Sequence, residues 1–273
     1  MISTQAIRLC IEKQIQLVIS EYTGRPVARL WVSNPGRNTI IRRNQYLNED
    51  TTLSFNIIKD IVKTKISRQK SLLIYLRNNR ENRIPEIDIA IEMITKYIER
   101  LGQINHEPEF KNNILGIEGL CASYYFKAIS KSMPAQWTFE KRSKHPATDE
   151  FNAVLNYVYG FGYSSMEKII IMSGLDPNAG FFHSDVYGKP TLSYDLLEII
   201  RPVLDRLVIT LFTKKIVSEN WFEKQQTEEK TIGVYLTKIA RKKIIDSYTE
   251  KYQKVIDREG WNFCRKLIKM LSF

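Results

Sequence analysis

Three segments of this sequence carry side chains that could hold a divalent cation. The segment SYDLLEIIRP predicts a helix with Ser193 as its N-cap, and it places Asp195 and Glu198 three residues apart on one helical face. Two adjacent carboxylates repel each other unless a cation lies near them. Acids in a first helical turn also complement the helix dipole, so a purely structural role for the pair stays open.

Glu118 and His183 supply two further candidate ligands. Glu118 lies in NNILGIEGLCASYYFKAIS, where its neighbours are apolar or small, and a carboxylate is costly to bury without a partner. His183 follows the turn-rich DPNAG and two phenylalanines, which should hold its backbone in place. A polar helical face for Glu118 and a structural role for His183 remain equally acceptable, whereas His106 and His145 are assigned to solvated loops.

The chemistry of these donors points to metal-assisted reaction at phosphate. Carboxylate oxygens and one imidazole suit Mg²⁺ or Mn²⁺, and such a cation polarises a phosphodiester and activates an attacking hydroxyl. Cys10, Cys121 and Cys264 lie far apart and form no CxxC pair, so a zinc or redox site is excluded and a reduced, intracellular setting is favoured.

The charge distribution favours nucleic acid as the partner. The 273 residues carry a formal net charge of +11, and the pI is about 9.4. Residues 1–44 hold seven Lys or Arg against two Asp or Glu, and residues 200–273 hold sixteen against nine, whereas the middle is nearly neutral. Clusters on helix surfaces are solvated about as often as they bind. The candidates for contacts with DNA phosphates are Arg42, Arg43, Arg142, Arg241, Lys242 and Lys243.

The elements that must position these residues are mostly helical. Residues 1–38 predict a helix capped by Ser3 or Thr4 and two β-rich runs, a partial N-terminal β-domain. Residues 39–273 show helical periods almost to the end, with helices predicted from about 112 to 131, from 148 to 174, from Ser193 and from Thr227. The predicted fold class is therefore mainly α, a large all-α catalytic domain after a partial β-rich one.

No targeting or membrane segment is predicted. Glu12 interrupts the apolar residues near the N-terminus, so the uninterrupted stretch of a signal peptide is missing. No segment approaches the roughly 18 apolar residues of a membrane span. A cytoplasmic protein is expected, with no membrane partner.

Several segments together resemble one known family. LDPNAGFFHSDVYGKPTLSYDLLEIIRPVLDRLV looks like the signature of the CRISPR-associated spacer integrase, the Cas-one family. GRNTIIRRNQY, ILGIEGLCASYYF, PATDEFNAVLNYVYG and GVYLTKIARKKII resemble further family segments in the same order. The resemblance extends over nearly the whole chain and implies a prokaryotic, nucleoid-associated protein that acts on double-stranded DNA.

The resemblance also assigns roles to individual positions. It implies that Glu118, His183 and Glu198 bind a divalent metal, Mg²⁺ or Mn²⁺, and that Asp195 is the neighbouring acid that supports the site. It implies that Tyr159 lies near the DNA end at the active site. Supporting positions, in a loop and on a polar helix face, match at Arg142, Asp149, Asn152 and Asn156.

The N-terminus departs from the family pattern. Family members usually begin with several more β-strands, whereas this chain starts at what looks like the middle of the β-domain. That domain normally supplies much of the homodimer interface and the docking surface for the Cas-two subunit, and both partners are expected here. A naturally short chain, a fragment and the integrase portion of a fusion to a reverse transcriptase are all compatible with this start.

The leading functional hypothesis is a metal-dependent integrase that joins the 3′-hydroxyl of a short protospacer DNA to a CRISPR repeat by transesterification. A general metal-dependent nuclease would use the same residues with water as the nucleophile. A catalytically silent DNA-binding scaffold subunit is the third reading.

Overall fold

The computed structural model describes most of the chain. The described residues are 2–13, 15, 17–20, 26–30, 38–48, 50–144, 146–183, 189–226 and 232–272. His145 lies outside this part of the chain. Among the described helices, none combines the length and hydropathy needed to cross a membrane.

Helices account for most of the described residues, which confirms the mainly α fold class. The helices are α1 (Thr4–Glu12), α2 (Asn38–Leu47), α3 (Thr52–Asn78), α4 (Pro85–Gln103), α5 (Phe110–Lys131), α6 (Glu150–Ser173), α7 (Thr191–Thr213), α8 (Lys238–Lys251) and α9 (Gln253–Leu271). The strands are β1 (Val18–Ser20), β2 (Pro26–Arg29), β3 (Phe222–Gln226) and β4 (Ile232–Leu236).

The core lies between two groups of packed helices that share α7. Helix α3 packs against α4, α5 and α7, and α6 packs against α7 and α9. Apolar residues recur at spacings of three and four along α3, where Ile58, Ile61 and Val62 are fully buried. In α4 the inward face carries Ile87 and Ile94, which are both buried. Helix α7 is thus the central element and has buried residues on most of its surface.

The N-terminal region contains the predicted helix and strand pair. Ser3 caps α1, since its Oγ accepts a hydrogen bond of 3.2 Å from the N–H of Ala6. Strand β1 pairs with β2 in antiparallel register, Val18 opposite Arg29. Residues 21–25, between these two strands, lie outside the described part. Helix α2 begins at Asn38, beside the predicted boundary, and the division into two domains stays a prediction.

Two details of the predicted helices are wrong. The helix predicted from Thr227 begins only at Lys238, because the residues before it form the β3–β4 hairpin, in which Gly233 lies opposite Gln225. The alternation in β4, with Val234 buried and Tyr235 exposed, is typical of a strand. Ser193 does not cap α7, which begins two residues earlier and buries that side chain in its first turn.

Candidate active site

One charged cavity brings together four of the five predicted catalytic residues. It has a volume of about 920 Å³ and lies where α3, α5, α6 and α7 meet the loop that precedes α7. The side chains that matter for the chemistry of this cavity are Lys65, Gln69, Glu118, Tyr159, His183, Glu198 and Arg201. The sequence predicted four of these seven.

Lys65 joins the two predicted metal-binding glutamates. Its Nζ lies 2.5 Å from Oε2 of Glu198 and also forms an ion pair with Oε1 of Glu118. The side chains of Lys65 and Glu198 are only 5% and 4% exposed, and that of Glu118 is 21% exposed. Glu118 on α5 and Glu198 on α7 therefore both form ion pairs with the ammonium group of one lysine on α3.

Arg201 pairs with the second oxygen of the same glutamate. Its Nη1 lies 2.6 Å from Oε1 of Glu198, one helical turn away on α7. Burial by itself would raise the pKa of Glu198, but the charges of Lys65 and Arg201 outweigh it and hold that pKa below its ordinary value. Glu198 is thus a carboxylate held in its ionised form inside the protein.

Asp195 organises the loop that carries His183. Its Oδ2 accepts hydrogen bonds from the backbone N–H groups of Phe181, at 2.7 Å, and Phe182, at 3.0 Å. Its Oδ1 accepts the backbone N–H of His183 at 3.0 Å and lies 2.6 Å from the Nδ1 of the same residue. Asp195 is fully buried and its oxygens face this loop, so it supports the site and does not line the cavity.

His183 presents its other ring nitrogen as the one available to a ligand. Because Nδ1 faces Asp195, the tautomer that donates from Nδ1 leaves Nε2 with a free lone pair. The imidazole side chain is 39% exposed, and its ring lies 5.3 Å from Phe182 and 6.0 Å from Tyr194, centroid to centroid. Such a carboxylate–imidazole pair is the arrangement that orients histidine ligands in metal sites.

Tyr159 lies in the same cavity but its hydroxyl is already engaged. The hydroxyl donates to Oδ1 of Asp205 at 2.6 Å, and Tyr125 donates to the other oxygen at 2.7 Å. Burial raises the pKa of Asp205 to about 6, although the two hydroxyls and the nearby arginines act in the opposite direction. The guanidinium groups of Arg142 and Arg201 lie 5.4 and 5.1 Å from the centroid of the Tyr159 ring.

The predicted supporting residues fix the loop of residues 141–144. Arg142 donates to Oδ1 of Asn152 at 2.7 Å and to Oδ1 of Asn156 at 2.5 Å. Asn152 in turn donates to the backbone carbonyl of Lys141 at 2.9 Å, and Asp149 caps α6. Arg142 therefore lines the cavity while it holds the loop, and its contact with a DNA phosphate stays a prediction.

The other predicted phosphate contacts lie away from this cavity. Arg42 donates from Nε to the backbone carbonyl of Gly174 at 2.8 Å, and Arg43 is exposed. On α8, Lys243 lies 5.8 Å from the centroid of the Trp221 ring. Arg241, Lys242 and Lys243 are all exposed. In addition to Lys65 and Arg201, five basic residues line this cavity and are called its rim residues: Lys127, Lys131, Lys141, Arg142 and Lys144.

Sequence reasoning missed four residues of the site: Lys65, Gln69, Arg201 and Asp205. A signal for the first two existed, because Lys65 and Gln69 occupy positions of the apolar period of α3 and are buried there. Arg201 and Asp205 lie inside the signature segment but were not singled out. They follow Glu198 at helical spacings and share its face of α7.

The donor set of the cavity consists of two carboxylates and one imidazole, the groups that bind divalent metals. No three His, Cys, Asp or Glu side chains in the described ranges lie close enough to coordinate one ion as placed. However, Lys65 already shows that a single positive group is shared by Glu118 and Glu198, and the imidazole of His183 lines the same cavity. The chemistry of the donors fits Mg²⁺ or Mn²⁺, with the ammonium of Lys65 in the place of the ion.

Fold and cavity together define a helical protein with a charged, lysine-rimmed site. The profile of the family "CRISPR associated protein Cas1" matches residues 1–250. The chain is 33% identical over 235 residues to "CRISPR-associated endonuclease Cas1 1" of Thermodesulfovibrio yellowstonii, covering 85% of this chain and 72% of that protein. The chain therefore belongs to the Cas1 family, which confirms the predicted resemblance.

Two solved structures share its fold. A partial Cas6-RT-Cas1–Cas2 complex superposes with a TM-score of 0.84 at 19% identity, covering 99% of this chain and 81% of that one. A casposase bound to integration product superposes with a TM-score of 0.77 at 23% identity, covering 98% of this chain and 79% of that one.

Proposed function

We propose that this chain is a metal-dependent DNA integrase of CRISPR adaptation, which joins the 3′-hydroxyl of a short protospacer DNA to a repeat by transesterification. The observation that carries the proposal is the convergence of Glu118 and Glu198 on one cationic group beside an imidazole oriented by a buried aspartate. Membership in the Cas1 family and the fold shared with a casposase support the same reaction class.

In this proposal Glu118, His183 and Glu198 hold Mg²⁺ or Mn²⁺. When bound, the ion supplies Lewis-acid stabilisation of the negative charge that develops on the phosphate. Asp195 keeps the imidazole in the tautomer that offers Nε2. Arg201 keeps Glu198 ionised and adds a fixed positive charge beside the reacting phosphate.

The chain's own residues also position the DNA end. The hydroxyl of Tyr159 is held by Asp205, and two guanidinium groups lie near its ring, so the ring forms an apolar surface of the cavity against which the DNA end can pack. The lysines of the rim contribute positive charge where a duplex backbone would enter. The exposed cations Arg43, Arg241, Lys242 and Lys243 lie away from the cavity and are proposed as further contacts to DNA phosphates. A homodimer and a Cas-two partner are proposed with the integrase, and the fold shared with a Cas1–Cas2 complex supports the latter.

A second candidate function is DNA hydrolysis at the same site. The observation in its favour is that curated relatives are named endonucleases. The same residues would serve, with water in place of the 3′-hydroxyl as the nucleophile.

The test is a strand-transfer assay with a labelled short duplex, a supercoiled plasmid carrying CRISPR repeats, and either Mn²⁺ or EDTA. Wild type is expected to move label into the plasmid only with Mn²⁺, and Glu118→Gln and His183→Ala should abolish transfer. Glu92→Gln is the matched control, because this exposed glutamate lies on α4 and pairs with the neighbouring Lys96. Nicked DNA without transfer would favour the nuclease. DNA binding that is indifferent to metal, with no new covalent product, would favour a silent scaffold.

A further inference from the structure

Lys65 is the residue of the cavity whose role the proposed reaction leaves open. It is a buried lysine, and its ammonium touches carboxylates from two other helices. Of the two glutamates, Arg201 forms an ion pair with Glu198 in the described structure, whereas Lys65 pairs with both and links Glu118 to Glu198. The position between these two oxygens is also where a divalent ion would have to sit to use both acids.

We propose that Lys65 is a displaceable internal cation, which holds Glu118 and Glu198 together in the metal-free protein and competes with the metal for them. The inference rests on the proposed metal centre and deepens it. A divalent ion and an ammonium group repel each other, so both cannot occupy the space between the same two carboxylates. Metal binding must therefore move the Nζ of Lys65.

The side chain of Gln69 could accept a hydrogen bond from the displaced ammonium group of Lys65. Gln69 lies one turn further along α3, on the same helical face, and it is 2% exposed while it lines the same cavity. Within the described residues, the Oε1 of Gln69 is buried without a hydrogen-bond partner. An ammonium group is a donor of three hydrogen bonds and would satisfy this acceptor. Lys65 thus has two positions, one for the metal-free and one for the metal-bound protein.

A permanent role for Lys65 predicts the opposite result. If the ammonium remained beside the acids and helped to shape the metal site, removing it would weaken metal binding or leave it unchanged. If it competes, removing it leaves two acids whose negative charge is less fully offset, with Arg201 still paired to Glu198. The metal-free form is then destabilised and the metal binds more tightly. The sign of the change in affinity therefore decides between the two roles.

The experiment is calorimetric titration of the full chain with Mn²⁺, together with thermal unfolding in EDTA and in Mn²⁺. Lys65→Met is expected to bind Mn²⁺ at least about tenfold more tightly than wild type, as the loss of one nearby charge implies. It should also melt lower in EDTA and regain much of the loss with Mn²⁺. Lys65→Arg keeps the charge and should stay close to wild type. Gln69→Leu removes the second position and should weaken binding.

The matched control is Lys59→Met, on the same helix, because that lysine donates to the backbone carbonyls of Gly102 and Ile104 and forms no ion pair with an acid among the described residues. It should leave the affinity for Mn²⁺ unchanged. If Lys65→Met does not fold, Lys65→Gln replaces it, since the amide can still donate to the carboxylates without carrying charge. Unchanged or weaker binding by the neutral variants overturns the inference. Absence of Mn²⁺ binding by wild type overturns the proposed metal centre instead.

Discussion

The Nδ1 of His183 lies 2.6 Å from Oδ1 of Asp195, and the same carboxylate accepts three backbone N–H groups of the loop that carries the histidine. One fully buried side chain on α7 thus fixes both the path of this loop and the orientation of its imidazole. Because Glu198 lies one turn further along α7, the imidazole and the carboxylate are positioned from one rigid helix.

Asp195→Asn should therefore damage the site through His183. An amide cannot accept all four contacts, so we expect Mn²⁺ affinity and strand transfer to fall by about 10- to 100-fold. The free energy of unfolding should fall by about 1–3 kcal/mol. Titration calorimetry measures the Mn²⁺ affinity apart from the loss of stability. The control is Asp176→Asn, since Asp176 accepts the N–H of Asn178 at 2.9 Å in the same loop. Wild-type affinity for Mn²⁺ in Asp195→Asn would contradict the positioning role.

Asp205 should make stability depend on pH. Its pKa is raised by burial from 3.8 to about 6, so between those values the native protein binds more protons than the unfolded chain. The contribution of this group to stability is present below about pH 4 and is lost as the pH rises through about 6. A shift of this size corresponds to roughly 3 kcal/mol.

Asp205→Asn removes this titration. The unfolding free energy of the variant minus that of wild type should rise by about 1–3 kcal/mol as the pH goes from 4 to 7. Urea unfolding at pH 4, 5, 6 and 7 measures the difference, and a constant offset caused by the altered hydrogen bonds to Tyr125 and Tyr159 does not affect its slope. Parallel stability curves for the two proteins would rule out a raised pKa.

Gly180 should tolerate no side chain. A Cβ at this position would lie 2.9 Å from the backbone carbon of Thr191, at the start of α7. Gly180→Ala is expected to push the loop of His183 away from α7, at a cost of about 1–3 kcal/mol and with reduced strand transfer. Gly160→Ala is the control, because its Cβ would meet nothing within 4 Å in the interior of α6. Equal stability and activity of both variants, by thermal unfolding and transfer assay, would refute the close contact.

The rim lysines should set the salt dependence of DNA binding. Each lysine that neutralises a phosphate contributes about −0.9 to the slope of log affinity against log salt. Lys141→Gln with Lys144→Gln should therefore reduce the slope by nearly two, as measured by fluorescence anisotropy with a labelled duplex. Lys96→Gln, on α4, pairs with Glu92 and should leave the slope unchanged. An unaltered slope in the double variant would place the DNA elsewhere.

The sequence predicted the elements better than it predicted the contacts between them. The spacing of Asp195 and Glu198 placed both on one helix, and that prediction holds because i, i+3 neighbours are a local property. The link from Lys65 to Glu118 and Glu198 could not be predicted, since it depends on how α3 and α5 dock on α7. Helical period alone does not show which faces meet.

The wrong helix start and the missed partners of Arg142 have the same origin. The signal for the hairpin that replaces the helix predicted from Thr227 was the alternation of GVYL, which is too short to outweigh the helical period that follows it. The contact of Arg142 with phosphate stays a prediction, but the sequence did not show its partners Asn152 and Asn156, which lie on a helix ten or more residues away. The sequence around a charged loop residue does not show that its side chain is already hydrogen-bonded within the protein.

The most direct test of the account is the crystal structure of the protein soaked in Mn²⁺, with anomalous scattering used to place the ion. If the proposed metal centre is right, one strong anomalous peak for Mn²⁺ will lie between the carboxylates of Glu118 and Glu198 and the Nε2 of His183. The side chain of Lys65 will have moved away from the two acids. A cavity without such a peak, in which Lys65 still bridges the two glutamates at saturating Mn²⁺, would contradict it.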